Sequence, residues 1–498
     1  MATTKNAPSL EGGKHGTQLT GRMGVMSLML TVLAFSAPLA VVTGYIPVAI
    51  IFGGNGTSVA FVIATVILLI FSAGYVAMSK RVDRPGAFYT FVSRGLGKPA
   101  GLGTAYLAII SYLLVLVGTY AFIGVVAAGL IQSVGGPAIP WWISAVVSWA
   151  AVSTLGYFNI ELSAKVLSVV MVLEVLVILI FNAFTLAQGG AEGLSVTPLL
   201  PSEFIKGDIG VTMLFAFMVF MGFEATALFR EEVRHPNVTI PRATYGAVLF
   251  VGVLYALTCY GLIAAYGSDA VDVATNETTD MFANAAGHFV GGIFVQITLI
   301  MALTSSFAAN VSIHNVIARY TYNLGYDHAL PRSLARVHHS HASPHVASNA
   351  AAAVAGLLIA IIAVLPIDES ILYAQLVAIG TVGVLGLMAL VSVAIIAWFA
   401  TRRSSNSEGI FKIYVAPAIS AVSLLFVVVM ATVNFHLVAG GEPGQYTWLL
   451  IPLPLALLAG IYIALRLRRS NPSRYARLGR DEVDPFHNHT AESLTEAD

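Results

Sequence analysis

The chain has 498 residues, of which 57% are hydrophobic and only 10% charged, and its 25 basic and 25 acidic residues cancel to zero formal charge. A soluble domain carries about 25% charged residues, so a soluble globular domain is excluded and the chain reads as a polytopic membrane protein, while the charge balance says nothing about partners. The single cysteine, Cys259, rules out an internal disulfide or a cysteine metal cluster.

Residues 1–18 are polar and lack the short apolar core and cleavage site of a signal peptide. They read as a disordered cytoplasmic tail running to residue 21. Beyond it, apolar runs longer than the ~20 residues that cross a bilayer core follow one another. Runs such as Val59–Tyr75 do not alternate polar and apolar, so the fold is all-α rather than a β-barrel. The first span, 22–50, is interrupted at Ala34-Phe35-Ser36-Ala37-Pro38-Leu39-Ala40, where Pro38 removes a backbone donor and clashes with the preceding turn. Spans at 58–79, 100–131 and 140–157 follow. The fifth, 163–187, carries Glu174 near its middle. A charge at that depth costs ~2.5–3.5 kcal/mol on insertion scales, which marks it as functional. It could exchange a proton, help hold a sodium ion or a cationic substrate, or stay neutral in a structural hydrogen bond. The sixth span, 209–229, is broken at Phe220-Met221-Gly222, with Glu224 just beyond. Spans at 243–266, 287–317, 346–365, 370–400, 412–438 and 446–465 complete a count of about twelve. The tail 466–498 starts basic and ends acidic and is expected to be solvated.

Lysine and arginine cluster after spans 2, 6, 8 and 10 (among them Lys80, Arg84, Arg230, Arg234, Arg319 and Arg402) and are nearly absent from the alternate loops. The positive-inside rule then places both termini in the cytoplasm of a multi-pass cell-membrane protein. Spans 1–5 (about 22–187) and 6–10 (about 209–400) each open on an interrupted segment, and an odd number inverts the second set. This is the inverted-repeat pattern of secondary transporters, in which paired interruptions point to the binding site. Spans 11 and 12 (about 412–465) are extra. Non-helical backbone at such depth is tolerated where it is buried or lines a cavity.

At these residues the chain resembles the amino acid–polyamine–organocation superfamily of transporters, from about residue 20 to 465. The resemblance rests on Gly222-Phe223-Glu224, Glu231-Glu232, Pro236 and Ile240-Pro241-Arg242-Ala243; on Arg84-Pro85-Gly86-Ala87-Phe88-Tyr89-Thr90-Phe91; and on Arg319-Tyr320, Gly325, Asp327 and Leu330-Pro331. It implies a ten-helix inverted-repeat core with discontinuous helices 1 and 6, and gradient-driven transport of an amino acid or amine without a cofactor. In the family, the first break holds the substrate carboxylate on backbone N–H groups, here at Ser36, Ala37 and Leu39. Pro38, which cannot donate, stands where many relatives carry glycine. Phe220 matches an aromatic residue that closes over substrate, with Met221 and Gly222 completing the second break. Sodium-coupled transporters of this fold carry a hydroxyl pair like Thr304-Ser305, whose oxygens suit a hard cation, and proton-coupled relatives carry a lysine where Glu174 stands. The coupling ion is therefore expected to be a proton or sodium, held at Glu174, Thr304 and Ser305.

The histidines His338, His339, His341 and His345 lie in a polar loop without fixed helical spacing and read as solvated, with no metal site expected. Tyr112 and Tyr120 could face the substrate or pack. Arg230, Glu231, Glu232, Arg234 and Arg242 could form an inner gate or serve as topology signals. The leading expectation is a secondary active amino acid importer working by alternating access, in contact with the lipid bilayer and without a nucleic-acid partner. A polyamine or other organic amine permease or exchanger is the alternative, and a membrane sensor or enzyme on a transporter scaffold is the reading from a different class.

Overall fold

The computed structural model describes residues 23–81, 88–158, 164–227, 230, 233–338, 344–365, 369–402 and 408–478. The N-terminal tail and the acidic end of the C-terminal tail lie outside the described residues. So do Arg84, Pro85, Gly86, Ala87, Glu231, Glu232, His339 and His341. Among the described residues every element is helical, and the only extended pairing is one isolated bridge between Met23 and Val233. An apolar chain of this kind satisfies its backbone within each helix because lipid offers no partners.

In chain order the helices are α1 (Val25–Ser36), α2 (Pro38–Ala40), a π-helical turn (Val41–Tyr45), α3 (Ile46–Gly53), α4 (Thr57–Ser79), α5 (Phe88–Leu96), α6 (Lys98–Ser133), α7 (Trp141–Tyr157) and α8 (Ala164–Gln188). After the short α9 (Pro201–Phe204) come α10 (Ile209–Met218), a 3-10 turn (Phe223–Ala227), α11 (Pro236–Tyr266), α12 (Ala270–Asn276), α13 (Met281–Phe289) and α14 (Ile293–Tyr326). The chain then forms α15 (His345–Ala363), α16 (Glu369–Thr401), α17 (Ala416–Val433), α18 (Phe435–Ala439), α19 (Pro452–Ser470) and α20 (Pro472–Arg477).

Among the described residues, ten helical runs are long and apolar enough to cross a membrane. The first of them, Val25–Ser79, contains α1 to α4 and turns at Gly54–Gly56. The 17 residues of α7 reach only ~25 Å at 1.5 Å per residue, a little under the thickness of a bilayer core. Local signals start several helices. Proline occupies the first position of α2, α11, α19 and α20, where its missing N–H is not needed. Asp208 caps α10, its side chain accepting from the Val211 N–H at 2.7 Å.

Several basic segments share one face of the bundle with the first and last described residues. Arg230 donates to the Ser79 carbonyl at 2.9 Å, Arg94 to that of Arg81 at 3.4 Å, and the Arg234 N–H to that of Met23 at 3.2 Å. At the other end of the chain, the tail expected to be solvated from Arg466 continues α19 to Ser470. Arg468 and Arg469 lie in its last turn, where they complement the helix dipole. The following α20 is seated on the start of α6, with Lys98 Nζ donating to the carbonyls of Tyr475 at 3.2 Å and Ala476 at 2.6 Å. This side of the bundle is called the terminal face below.

The site lies where broken helices cross unbroken ones. Helix α1 packs on α8, α11 and α14; α2 packs on α8 and α14; α10 packs on α3, α4, α16 and α17.

Candidate functional site

The first break is a single residue. Ala37 sits in the left-handed region at φ 46°, ψ 69°, and Pro38 restarts the helix one residue later. A non-glycine residue held there costs on the order of 1–2 kcal/mol, so the surrounding packing fixes it. Ala37, Pro38 and Leu39 are all buried. The Ser36 hydroxyl turns back to the Leu33 carbonyl at 2.8 Å. The helix then widens into the π-helical turn, where the Thr43 hydroxyl donates to the Leu39 carbonyl at 2.8 Å.

Glu174 closes on this break. Its Oε2 accepts from the Leu39 N–H at 3.2 Å and from the Ser305 hydroxyl at 2.7 Å. One oxygen of a buried carboxyl thus joins α8 to the first break and to α14. Of the three residues expected at the coupling site, the structure brings two together. Thr304 is exposed, and its hydroxyl bonds to the Met301 carbonyl of its own helix at 3.0 Å. Neighbouring residues on a helix point about 100° apart, so the pair cannot place both hydroxyls on the face that meets α8.

The second break spans Val219–Gly222, between α10 and the 3-10 turn. Gly222 has φ 105°, a backbone shape that a side chain would strain. Phe220 and Met221 are buried, and their N–H groups bond to the carbonyls of Phe217 and Met218. Glu224 braces the break with its side chain, Oε2 accepting from the Gly222 N–H at 2.9 Å and Oε1 from the Tyr112 hydroxyl at 2.6 Å. Its own carbonyl accepts from the Tyr75 hydroxyl at 2.6 Å. Tyr320 of α14 lies against Tyr112, ring centroids 6.3 Å apart, and its buried hydroxyl has no partner. Tyr112 therefore holds the carboxyl that braces a break, a role apart from the substrate-facing and packing ones its sequence left open. Tyr75 carried no sequence signal, since a tyrosine in an apolar run reads as packing.

A cluster of rings covers the other side of the first break. Tyr45, Phe122 and Tyr373 pack with centroids 5.1–5.6 Å apart, and Tyr373 donates to the Gly44 carbonyl at 2.8 Å. Phe122 lies ten residues beyond Tyr112 on α6, about 15 Å further from the terminal face. Both breaks and both carboxyls lie in the region between this ring cluster and the terminal face. At that face, two segments quoted for the resemblance meet, with the Tyr89 hydroxyl on Asp327 at 2.9 Å.

The histidine loop departs from the solvated reading where it is described. The His338 and His345 rings pack 5.3 Å apart and both contact Tyr157 at the end of α7. Among the described residues no group of three or more histidine, cysteine, aspartate or glutamate side chains is placed to hold a metal.

A helical bundle with two buried helix breaks, each bonded to a buried carboxyl, has the layout of a membrane transport protein. The amino acid permease family model matches residues 26–460, which include both breaks, Glu174 and Ser305, and the chain belongs to that family. The chain is 25% identical over 344 residues to the branched-chain amino acid permease BcaP of Bacillus subtilis, covering 66% of this chain and 71% of that protein. It is 24% identical over 346 residues to the aromatic amino acid transport protein AroP of Escherichia coli, covering 66% and 71%. It is also similar to the low-affinity putrescine importer PlaP of Escherichia coli, 23% identical over 283 residues, covering 55% and 60%.

Proposed function

We propose that the chain is a secondary active transporter that imports an amino acid across the cell membrane by alternating access, coupled to protons or sodium. In this reading it has twelve spans, two inverted five-helix repeats over 22–187 and 209–400, and both termini in the cytoplasm. The observation that carries the reading is the bond pattern of Glu174, whose Oε2 joins the Leu39 N–H at the first break to Ser305 on α14. Any sliding of α14 or α8 against the broken helix stretches one of these bonds. Protonation of the carboxyl, or a cation bound against it, changes the strength of both. Cation occupancy and helix position are thereby linked. One coupled charge supplies ~2.3 kcal/mol per 100 mV of membrane potential. The substrate occupies the space at Ser36–Leu39 and Phe220–Gly222, with Phe220 offering a ring face to an amine, a contact of ~0.5–2 kcal/mol.

A second reading, an organic amine or polyamine permease, is favoured by the same contact. The Leu39 N–H, expected to receive a substrate carboxylate, already serves the protein's own carboxylate. A substrate without a carboxylate has no need of it. Among the relatives, the one named a putrescine importer fits this reading and the two named for amino acids fit the first.

The test is uptake by purified protein in vesicles, with radiolabelled amino acids and amines screened under separate proton and sodium gradients. Accumulation of one such solute under one gradient is expected. Equilibration of every solute without accumulation under either gradient would remove the reading.

A further inference from the structure

The helix faces that meet at Glu174 and Ser305 continue away from the terminal face, and two bonds give their relative direction, one to α14 and one to the end of α13. Glu174 accepts from Ser305 at one end. At the other, Gln188 Nε2 donates at 2.7 Å to the carbonyl of Phe289, just before α14 begins. The two helices therefore run antiparallel, each residue further along α8 lying beside one nearer the start of α14. With 3.6 residues per turn and 1.5 Å per residue, Thr185 falls on the Glu174 face about 16 Å further out, and Thr298 on the Ser305 face about 10 Å further out.

Both threonines are fully buried, and neither hydroxyl has a partner. Several buried threonines elsewhere behave differently. Thr65, Thr119, Thr258 and Thr381 each return the hydroxyl to a carbonyl four residues back. Asn182, one turn before Thr185, donates through Nδ2 to Thr258 on α11, while its buried Oδ1 has no partner. Buried polar atoms are bonded in the large majority of cases, and a buried water needs two to four such groups. Thr185 and Thr298 place two unpaired oxygens on the faces that meet at Glu174 and Ser305, Asn182 Oδ1 lies on the α11 side of α8 beside Gly261, and such buried oxygens call for water or an ion. Between Thr185 and Glu174 the α8 face carries Ile178 and Phe181, both fully buried. Phe181 packs edge-on to Phe282 of α13 at 4.7 Å, so Thr185 and the carboxyl are separated by an apolar plug, with Thr298 level with Phe181.

We propose that Thr185, Thr298 and Asn182 line a hydrated branch for a small monovalent cation, which reaches Glu174 from the side opposite the termini, past Ile178 and Phe181, apart from the substrate's route at the helix breaks. The inference rests on Glu174 as the coupling group. The groups facing Glu174 are the Leu39 N–H on α2, Ser305 on α14 and, within electrostatic reach, Tyr255 on α11. No lysine or arginine is buried among the described residues, so the branch leads to a carboxyl with no fixed counter-cation there.

The test uses full-length protein in vesicles carrying Thr185→Val and Thr298→Val together, which keeps side-chain shape and removes both hydroxyls. Gradient-driven uptake of a solute that the unaltered protein accumulates is compared with gradient-free exchange of the same solute, in separate proton and sodium arms. Gradient-driven uptake is expected to fall about tenfold in the arm of the coupling cation, with exchange changed less than about twofold. Equal losses in both assays would make the threonines structural and overturn the branch. Unchanged gradient-driven uptake would overturn it as well. Ile178→Ala, which thins the plug, is expected to raise substrate-free leak of that cation, and a leak equal to that of the unaltered protein counts against the route. If Glu174→Gln leaves gradient-driven uptake intact, the coupling reading itself falls and the branch with it.

Discussion

Two buried carboxyls stand beside the two helix breaks, and they are held in different ways. Glu224 belongs to the break it braces, bonding to the Gly222 N–H two residues away and to Tyr112 on α6, while its main-chain carbonyl takes the Tyr75 hydroxyl of α4. Glu174 sits on an unbroken helix and reaches across to α2 and α14, both bonds converging on Oε2. The first arrangement can persist in part through a movement of the whole broken segment, which keeps the Glu224–Gly222 bond although the bonds to α6 and α4 stretch. The second cannot, because its three contributors lie on three helices. Under the proposed function, the difference separates a brace that shapes the site from a node where cation binding would be linked to helix movement.

Substitutions at the two carboxyls and beside them sharpen the contrast. The largest loss is expected from Gly222→Val, which forces a β-branched residue into φ 105° and costs ~3 kcal/mol or more. Thermal unfolding in detergent should show a lowered midpoint, with transport lost. Glu224→Leu leaves the Tyr112 hydroxyl and the Gly222 N–H buried without acceptors, at about 2–4 kcal/mol. The same unfolding measurement checks it, and a midpoint equal to that of the unaltered protein would dissolve the distinction between brace and node. Ser305→Ala removes one of two bonds to Oε2, and here stability should change by only about 1 kcal/mol. The cation concentration for half-maximal uptake should instead move roughly three- to tenfold. Thr304→Ala removes an exposed hydroxyl bonded within its own turn and should leave stability within about 0.5 kcal/mol and uptake kinetics unaltered. A coupling defect in Thr304→Ala as large as that in Ser305→Ala would move the node onto the other face of α14.

The parts of the site that could be read in advance are those where one residue contradicts its surroundings. Pro38 and Gly222 stand out in helical apolar sequence, and Glu174 stands out as a charge among valines and leucines. Each marks a place that the structure uses. Features set by direction were hidden, because interior and lipid-facing positions are equally apolar and hydropathy cannot assign a face. Thr304 and Ser305 look equivalent in sequence yet point about 100° apart. The proline was the visible sign of the first break, whereas the left-handed residue is Ala37. Tyr75 and Tyr320 join the Glu224 region through contacts more than ninety residues away in sequence, a distance over which no local pattern speaks. Arg468 and Arg469 complement the end of α19, so the tail expected from Arg466 begins as an exposed continuation of that helix.

The most direct test of the node is Glu174→Gln in vesicles, comparing accumulation under proton and sodium gradients with exchange in their absence. The substitution keeps an acceptor for Leu39 and Ser305 and removes the charge. Gradient-driven accumulation should disappear while exchange persists. A variant that accumulates substrate with unchanged pH and sodium dependence would contradict the account and take Glu174 out of the coupling mechanism.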